Sequence, residues 1–364
     1  MKELINLGTG DPDREAPRKV AEAAKRYIDE GGVWTHYSHV QRDPQHKKFV
    51  EAAVDYYKKI GPEYNPEQVL PTCGSGAALY VAMATLLERG DEILMWDPAF
   101  MGYFSRLKTM GVKPVMAPLK EELDFHMDLE TLPEYVSPKT KAILICSPNN
   151  PSGTVYTREE TQAVADLAKD NDLQVIADEI YLHFIYDDNV FISMSGLPGM
   201  KERTINVMSF SKTFSMTGWR LGYNIVPDRH LARARQIASL AGVTPTTFVH
   251  GAGTIALTEC WDYVDELREE YMRRRNYFCD AADGIEGLRC RRSEGAFYGW
   301  VNISETGLGS REFAERLMEK ENVRLTPGIV FGGRSDGYMR VALVRPVPVL
   351  EQAVERLRAF VTSL

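Results

Sequence analysis

One lysine stands among hydroxyl-bearing and small residues in the run Ser209-Phe210-Ser211-Lys212-Thr213-Phe214-Ser215-Met216-Thr217-Gly218-Trp219, and Arg220 follows it. The run comes directly after Ile205-Asn206-Val207-Met208, a largely apolar segment that reads as a buried strand. A lysine at the end of a buried strand is desolvated, which lowers its pKa and frees the amine for Schiff-base chemistry. Hydroxyls and a guanidinium beside it suit a phosphate. An ordinary loop lysine ahead of a helix would share this local pattern. An imine-forming amine beside a phosphate site is the requirement of pyridoxal phosphate (PLP).

Four further segments carry chemistry of the kind such a site needs. Thr72-Cys73-Gly74-Ser75-Gly76-Ala77 reads as a strand end, a small-residue turn and a helix start. Backbone N–H groups and the helix dipole then converge on an anion, although small turns before helices are common. Ser147-Pro148-Asn149-Asn150-Pro151-Ser152-Gly153 is an irregular turn in which Asn150 could donate to an oxyanion, or simply a turn. Ala177-Asp178-Glu179-Ile180-Tyr181 puts a carboxylate at the end of the apolar run Leu173-Gln174-Val175-Ile176. Burying that charge is costly unless it is paired, and a protonated pyridine nitrogen would pair with it. A helix N-cap is the competing role for Asp178. Arg340, inside Tyr338-Met339-Arg340-Val341, needs a partner within its strand environment. A substrate α-carboxylate would pair with it bidentately, and a salt bridge within its own domain would also satisfy it.

The elements that must position these residues alternate. Short apolar runs at 68–73, 92–96, 113–117, 141–146, 174–177, 204–210 and 221–226 are separated by helix-length patterns such as 77–88 and 158–170. Alternation of this kind predicts an α/β sheet, mostly parallel, whose ligands bind at the carboxyl ends of the strands. The segments around Gly74, Asn150, Asp178 and Lys212 fall at such ends. Residues 259–280 read as one long charged helix, with Arg273-Arg274-Arg275 on a solvated face. Beyond it, strands around Tyr298 and Arg340 and helices over 313–320 and 349–364 predict a second, smaller domain.

The chain has 364 residues, 44% of them hydrophobic and 26% charged, with a formal net charge of -8. That acidic balance opposes nucleic acid or an anionic membrane surface as a partner. No apolar run is long enough to span a bilayer, and the opening Met1-Lys2-Glu3-Leu4-Ile5-Asn6 lacks the apolar segment of a signal peptide. The five cysteines form no C-x-x-C pair and read as free thiols in a reducing, cytoplasmic compartment, with Cys73 and Cys146 as small core residues. No metal site is expected.

Taken together and in this order, the segments resemble the class I/II aminotransferases of the fold-type I PLP enzymes. The Ser-x-Ser-Lys…Gly-x-Arg-x-Gly signature, with Asn-Pro-x-Gly and Asp-x-x-Tyr upstream, carries the resemblance. It runs from Ile5-Asn6-Leu7-Gly8-Thr9-Gly10-Asp11-Pro12-Asp13 to Arg340 and includes Tyr298 and Pro327-Gly328-Ile329-Val330-Phe331-Gly332. It implies an α/β fold: a large PLP-binding domain over 28–262 with a mostly parallel seven-stranded sheet sandwiched by helices, and a smaller α+β domain built from 1–27 and 263–364. It implies Lys212 as the Schiff-base lysine and proton shuttle, Asp178 as partner of the pyridine nitrogen, and Asn150 and Tyr181 as donors to the ring oxygen. Gly74, Ser75, Gly76, Ser209 and Arg220 would hold the phosphate, and Phe100 would stack on the ring, with Tyr103 nearby in a less defined role. Arg340, Asn150 and Gly10 would meet the substrate. Tyr37 falls where the family has a tyrosine that reaches the neighbouring subunit's phosphate, which implies a homodimer with shared sites.

The chain departs from the family pattern in three places: few residues precede the Gly8–Asp13 motif, Arg42-Asp43 stands where Gly-Leu is common, and no aromatic follows Asp13. These departures leave the cofactor chemistry intact and leave open the substrate class. Trp34, His36, His39, Gln41 and Arg42 could read a substrate side chain from the neighbouring subunit or simply pack at an interface. The expected activity is transfer of an amino group between an L-amino acid and a 2-oxo acid by ping-pong kinetics. A carbon–sulfur β-lyase would use the same residues. A PLP-binding transcription regulator would need a DNA-binding module, for which there is no room before Ile5.

Overall fold

The computed structural model describes residues 2–31, 35–36 and 43–364. All seven apolar runs become strands of one seven-stranded sheet, in the spatial order Val69–Thr72, Gly222–Ile225, Thr204–Ser209, Gln174–Asp178, Thr140–Cys146, Glu92–Asp97 and Lys113–Pro118. Gly222–Ile225 runs antiparallel to both of its neighbours, and every other pairing is parallel. Ile143, Val175, Ile176, Ile205 and Val207 are fully buried. This is the pattern of a sheet covered on both faces, where strands are apolar throughout and do not alternate.

Helices return the chain between the parallel strands. Ser75–Leu86 starts immediately after Gly74, whose φ of 79° is a left-handed conformation that glycine adopts without strain. Arg158–Asp170 begins with a capping box: Thr157 Oγ1 accepts from the Glu160 N–H and the Glu160 carboxylate accepts from the Thr157 N–H. Because the strands share a direction, Thr72, Asp97, Cys146, Asp178 and Ser209 all end at one edge of the sheet. The loops that follow them carry the candidate residues.

A second sheet of four antiparallel strands runs Thr326–Pro327, Tyr338–Ala342, Tyr298–Asn302, Arg289–Cys290. The chain start joins this region: Ile5–Asn6 pairs in parallel with Val323–Arg324, and the Ala342 N–H donates to Leu7 O at 2.7 Å. The long helix Trp261–Asp283 spans two cores. Its Leu267 and Tyr271 pack with the large sheet, and Phe278, Cys279 and Ala282 pack under the small one.

That helix corrects one expectation. Arg273 is exposed, but Arg274 and Arg275 are buried, at 3% and 1% exposure. Arg274 forks onto Asp13 at 2.8 and 3.0 Å, and Arg275 reaches Asp187 at 2.8 Å and Ser293 O at 2.8 Å. Two of the carboxylates that make this burial tolerable, Asp13 and Asp187, come from distant parts of the chain, while Glu270, one turn earlier on the same helix, accepts from Arg274 Nε at 2.7 Å. A smaller correction concerns Cys73, which is half-buried at the rim of the site; Cys146, Cys260, Cys279 and Cys290 are buried, and all five are free thiols.

A charged contact joins the loop before Tyr298–Asn302 to the large sheet's helices. His126 contacts Glu160 through Nδ1 at 2.9 Å and Glu294 through Nε2 at 3.2 Å. Its hydrogen bonds to Glu160 and then Glu294 push its pKa from 6.5 up to about 9. A raised folded-state pKa means stability that is complete below pH 6.5 and lost as pH rises through 9. His126→Gln is therefore expected to cost about 2 kcal/mol near pH 6 after allowance for partial exposure. The melting-temperature gap to the unsubstituted protein should close by pH 9.5; a gap constant with pH would contradict the ionic reading.

Candidate active site

Lys212 sits in the short helix Phe210–Thr213, which follows directly from the strand Thr204–Ser209. The Ser209 hydroxyl caps that turn by accepting from the Ser211 N–H at 3.1 Å. The lysine is thereby aimed inward, and its Nζ donates to Gly10 O at 2.5 Å. Burial dominates its electrostatics. It lowers the amine from 10.5 to about 8, opposed by Asp11 and reinforced by the nearby charges of Arg340 and Arg220.

Across the same cavity of about 410 Å³ stands Asp178, 1% exposed at the end of Gln174–Asp178. Tyr103 donates to its Oδ2 at 2.6 Å, while Oδ1 is buried and has no hydrogen-bond partner among the described residues. Burial raises the carboxyl to about 6, opposed by the Tyr103 bond, the Ile180 N–H and the charge of Arg106. Beside it, Asn150 Nδ2 donates to the Tyr181 hydroxyl at 3.3 Å, and Tyr181 and Tyr298 share a hydrogen bond of 2.8 Å. Phe100 meets Tyr103 edge-on, with ring centroids 5.4 Å apart.

The glycine turn and Arg220 form a tight cradle. Arg220 NH2 donates to Cys73 O at 3.1 Å and NH1 to Thr217 O at 2.8 Å. A Cβ on Gly74 would lie 2.6 Å from the guanidinium, and one on Gly222 would lie 2.7 Å from Met208 O. Only glycine permits so close an approach, and the N–H groups at the start of Ser75–Leu86 face the same space. Arg340 completes the wall. Its NH1 donates to Asn150 Oδ1 at 3.1 Å and its NH2 to Gly8 O at 2.8 Å, with the guanidinium over the Tyr298 ring at 4.5 Å. Its Nε has no partner among the described residues.

These residues fit PLP. The unpaired, buried Oδ1 of Asp178 suits a ring N–H⁺, the cradle suits a phosphate, and the desolvated amine suits an aldehyde carbon. Gly10, Ser75, Gly76, Phe100, Asn150, Asp178, Tyr181, Lys212, Arg220 and Arg340 all line this one cavity; Gly74 lies against Arg220 at its edge, and Ser209 is not in the lining but caps the turn that carries Lys212. Tyr37 lies outside the described residues, as do Trp34, His39, Gln41 and Arg42; His36 is exposed. Tyr103, expected near the ring without a defined role, gains a definite contact with Asp178. One cavity residue was not legible beforehand. Arg106, one helical turn further on, lines the cavity too, and its only sequence signal is the i,i+3 spacing from Tyr103.

Fold and site together define a fold-type I PLP-dependent enzyme. The family described as aminotransferase class I and II matches residues 2–357. An aspartate aminotransferase of Pyrococcus horikoshii is 39% identical over 98% of this chain and 90% of its own. An aromatic-amino-acid aminotransferase of Thermococcus litoralis is 36% identical over 97% and 90%. The crystal structure of an aromatic aminotransferase from Pyrococcus horikoshii superposes with a TM-score of 0.94 at 36% identity, covering 99% of this chain and 96% of that one. The chain belongs to the class I and II aminotransferases. It is a PLP-dependent enzyme that moves an amino group between an L-amino acid and a 2-oxo acid in two half-reactions.

Proposed function

We propose that Lys212 is the residue that binds PLP covalently and moves the substrate's α-proton, with Asp178 as the partner of the ring nitrogen. The observation that carries this reading is one cavity holding a desolvated amine and a buried carboxylate oxygen without a partner. When bound, PLP supplies an aldehyde carbon for the amino group and a ring that draws electrons from the α-carbon. Asp178, kept negative, retains the proton on the ring nitrogen. Neutral Lys212 accepts the α-proton as general base and returns it as general acid. Its amine near pKa 8 lies close to neutral pH, where it can do both. Arg340 takes the substrate α-carboxylate, held in place by its bonds to Asn150 Oδ1 and Gly8 O, and Gly10, whose carbonyl accepts from Lys212, meets the substrate nearby. Tyr181 and Asn150 hold the ring oxygen, Phe100 the ring face, and Gly74, Ser75, Gly76, Ser209 and Arg220 the phosphate.

The remaining assignments belong to the same reading. The chain divides into a large domain over 28–262 and a small one from 1–27 and 263–364, supported by the separate sheets and by the pairing of Ile5–Asn6 with Val323–Arg324. The enzyme is a homodimer in which Tyr37 reaches the partner's site. It is cytoplasmic, in keeping with five free thiols; among the described residues no helix is long and apolar enough to cross a membrane. Its donors include dicarboxylic or aromatic amino acids, the classes for which the reported relatives are named.

The test is the visible spectrum of PLP-loaded protein mixed with single amino acids and no oxo acid. The yellow band is expected to bleach, and faster with the preferred donor. A band that persists while ammonia and pyruvate accumulate from cysteine-type substrates would instead show elimination.

A further inference from the structure

Arg106 has no part in the roles above. It sits on the helix Met101–Met110 one turn after Tyr103, so both side chains leave the same helix face. Its Nε donates to Gly76 O at 3.1 Å and its NH1 to Gly102 O at 2.6 Å. Gly76 lies in the first turn of the cradle helix, and Gly102 in the first turn after Phe100. The guanidinium thus ties together the two helix starts assigned to the phosphate and the ring face. Both acceptors are neutral carbonyls. Among the described residues no carboxylate forms an ion pair with it, although it is half-buried. A guanidinium desolvated in this way carries a cost that hydrogen bonds to carbonyls only partly offset. Arg106 and Asp178 line the same cavity, and Tyr103, on the same helix face as Arg106, donates to Asp178 at 2.6 Å; the two charges there act on each other.

We propose that Arg106 is a positioning residue that keeps Asp178 ionised, acting by charge across the cavity wall while its two hydrogen bonds hold Gly76 and Gly102 in register. The inference rests on the reading of Asp178 as the ring nitrogen's partner. Several groups face Asp178. From the helix Met101–Met110, which also carries Arg106, Tyr103 donates to it; from the strand Thr140–Cys146 comes the Cys146 thiol, and from Tyr298–Asn302 the Tyr298 phenol. Burial pushes the thiol and both phenols up, so they stay neutral near pH 7. Glu179, next in the chain, is raised to about 7 by burial, with the Asp178 charge adding to the rise, so it stays largely protonated over the range in which Asp178 ionises. Arg106 is the cation that works against the burial of Asp178.

The test measures the dissociation constant of PLP between pH 5.5 and 8.5 for the unsubstituted protein, Arg106→Met, Arg106→Lys and Asp178→Asn. Melting of the PLP-free proteins checks folding. Arg106→Met keeps the apolar stem and removes the charge. Its affinity is expected to break away at a pH roughly one unit higher, which is about tenfold weaker binding near pH 6 and convergence by pH 8.5. Arg106→Lys keeps the charge and should keep the original break. Superimposable profiles for Arg106→Met and the unsubstituted protein would overturn the proposal. So would equal, pH-independent weakening in both Arg106 variants, which would leave only the tether. Asp178→Asn separates the two levels: unaltered PLP affinity in that variant would refute the role of Asp178 itself, whereas weakened binding with an unmoved Arg106→Met profile refutes only the inference.

Discussion

Lys212→Met is expected to abolish transamination while leaving PLP uptake largely in place. Removing the general base alone costs about 10²–10⁴-fold, and losing the covalent attachment adds to that. The Asp178 carboxylate, the Arg220 cradle and the Phe100 face remain to hold PLP without a covalent bond. The same substitution has a second, independent consequence. A buried amine at about 8, against 10.5 when exposed, makes the charged lysine a burden on the fold. Between those values the unfolded chain binds more protons than the folded one, so the unsubstituted protein gains stability as pH rises from 8 to 10.5. PLP-free Lys212→Met is therefore expected to be more stable below pH 8, by up to about 3 kcal/mol, with the advantage shrinking toward pH 10.5. Steady-state transamination checks the first consequence and denaturant melts across pH check the second. Activity within tenfold of the unsubstituted enzyme would contradict the assignment.

The second large effect belongs to Asp178. Asp178→Asn retains an oxygen for the Tyr103 hydroxyl and removes the charge that would hold a proton on the ring nitrogen. Loss of a preorganised charge in a water-excluded site typically costs about 10²–10³-fold, and a fall of that size in kcat is expected. PLP-free stability should move the other way. Burial raises this carboxyl from 3.8 to about 6, so the stability it lends is present below pH 3.8 and lost as pH rises through 6. The asparagine variant should consequently melt higher than the unsubstituted protein above pH 6 and match it more closely near pH 4. A variant with lowered kcat and an unchanged melting profile would mean that the carboxylate is not desolvated as the structure has it.

What was legible in the sequence follows from what each signal depends on. The seven strands were readable because apolar runs of strand length bounded by turn residues are a local property, and covered parallel strands leave no polar face to confuse the pattern. Lys212, Asp178 and Asn150 were readable because each stands at the end of such a run, and a common strand direction then brings them to one edge. Arg274 and Arg275 differ from the sequence expectation because Asp13 and Asp187 come from elsewhere in the chain, and the local pair Glu270–Arg274 has the i,i+4 spacing of an ordinary solvated helix pair. Arg106 was silent for the same reason. An arginine on an amphipathic helix looks solvated until Gly76, from a different helix, is found within reach of its Nε. Cys73 reads as a small core residue from the sequence, yet it is only half-buried, beside the Arg220 guanidinium that donates to its carbonyl.

The most direct measurement of the central claim is peptide mapping after borohydride reduction of the PLP-loaded protein. Reduction makes the link between PLP and its lysine permanent, so its position is read as an added phosphopyridoxyl mass. The account predicts that mass on the Lys212 ε-nitrogen, with one group per chain, and no incorporation in Lys212→Met. A label on any other lysine, or a yellow protein that yields no labelled peptide, would contradict it.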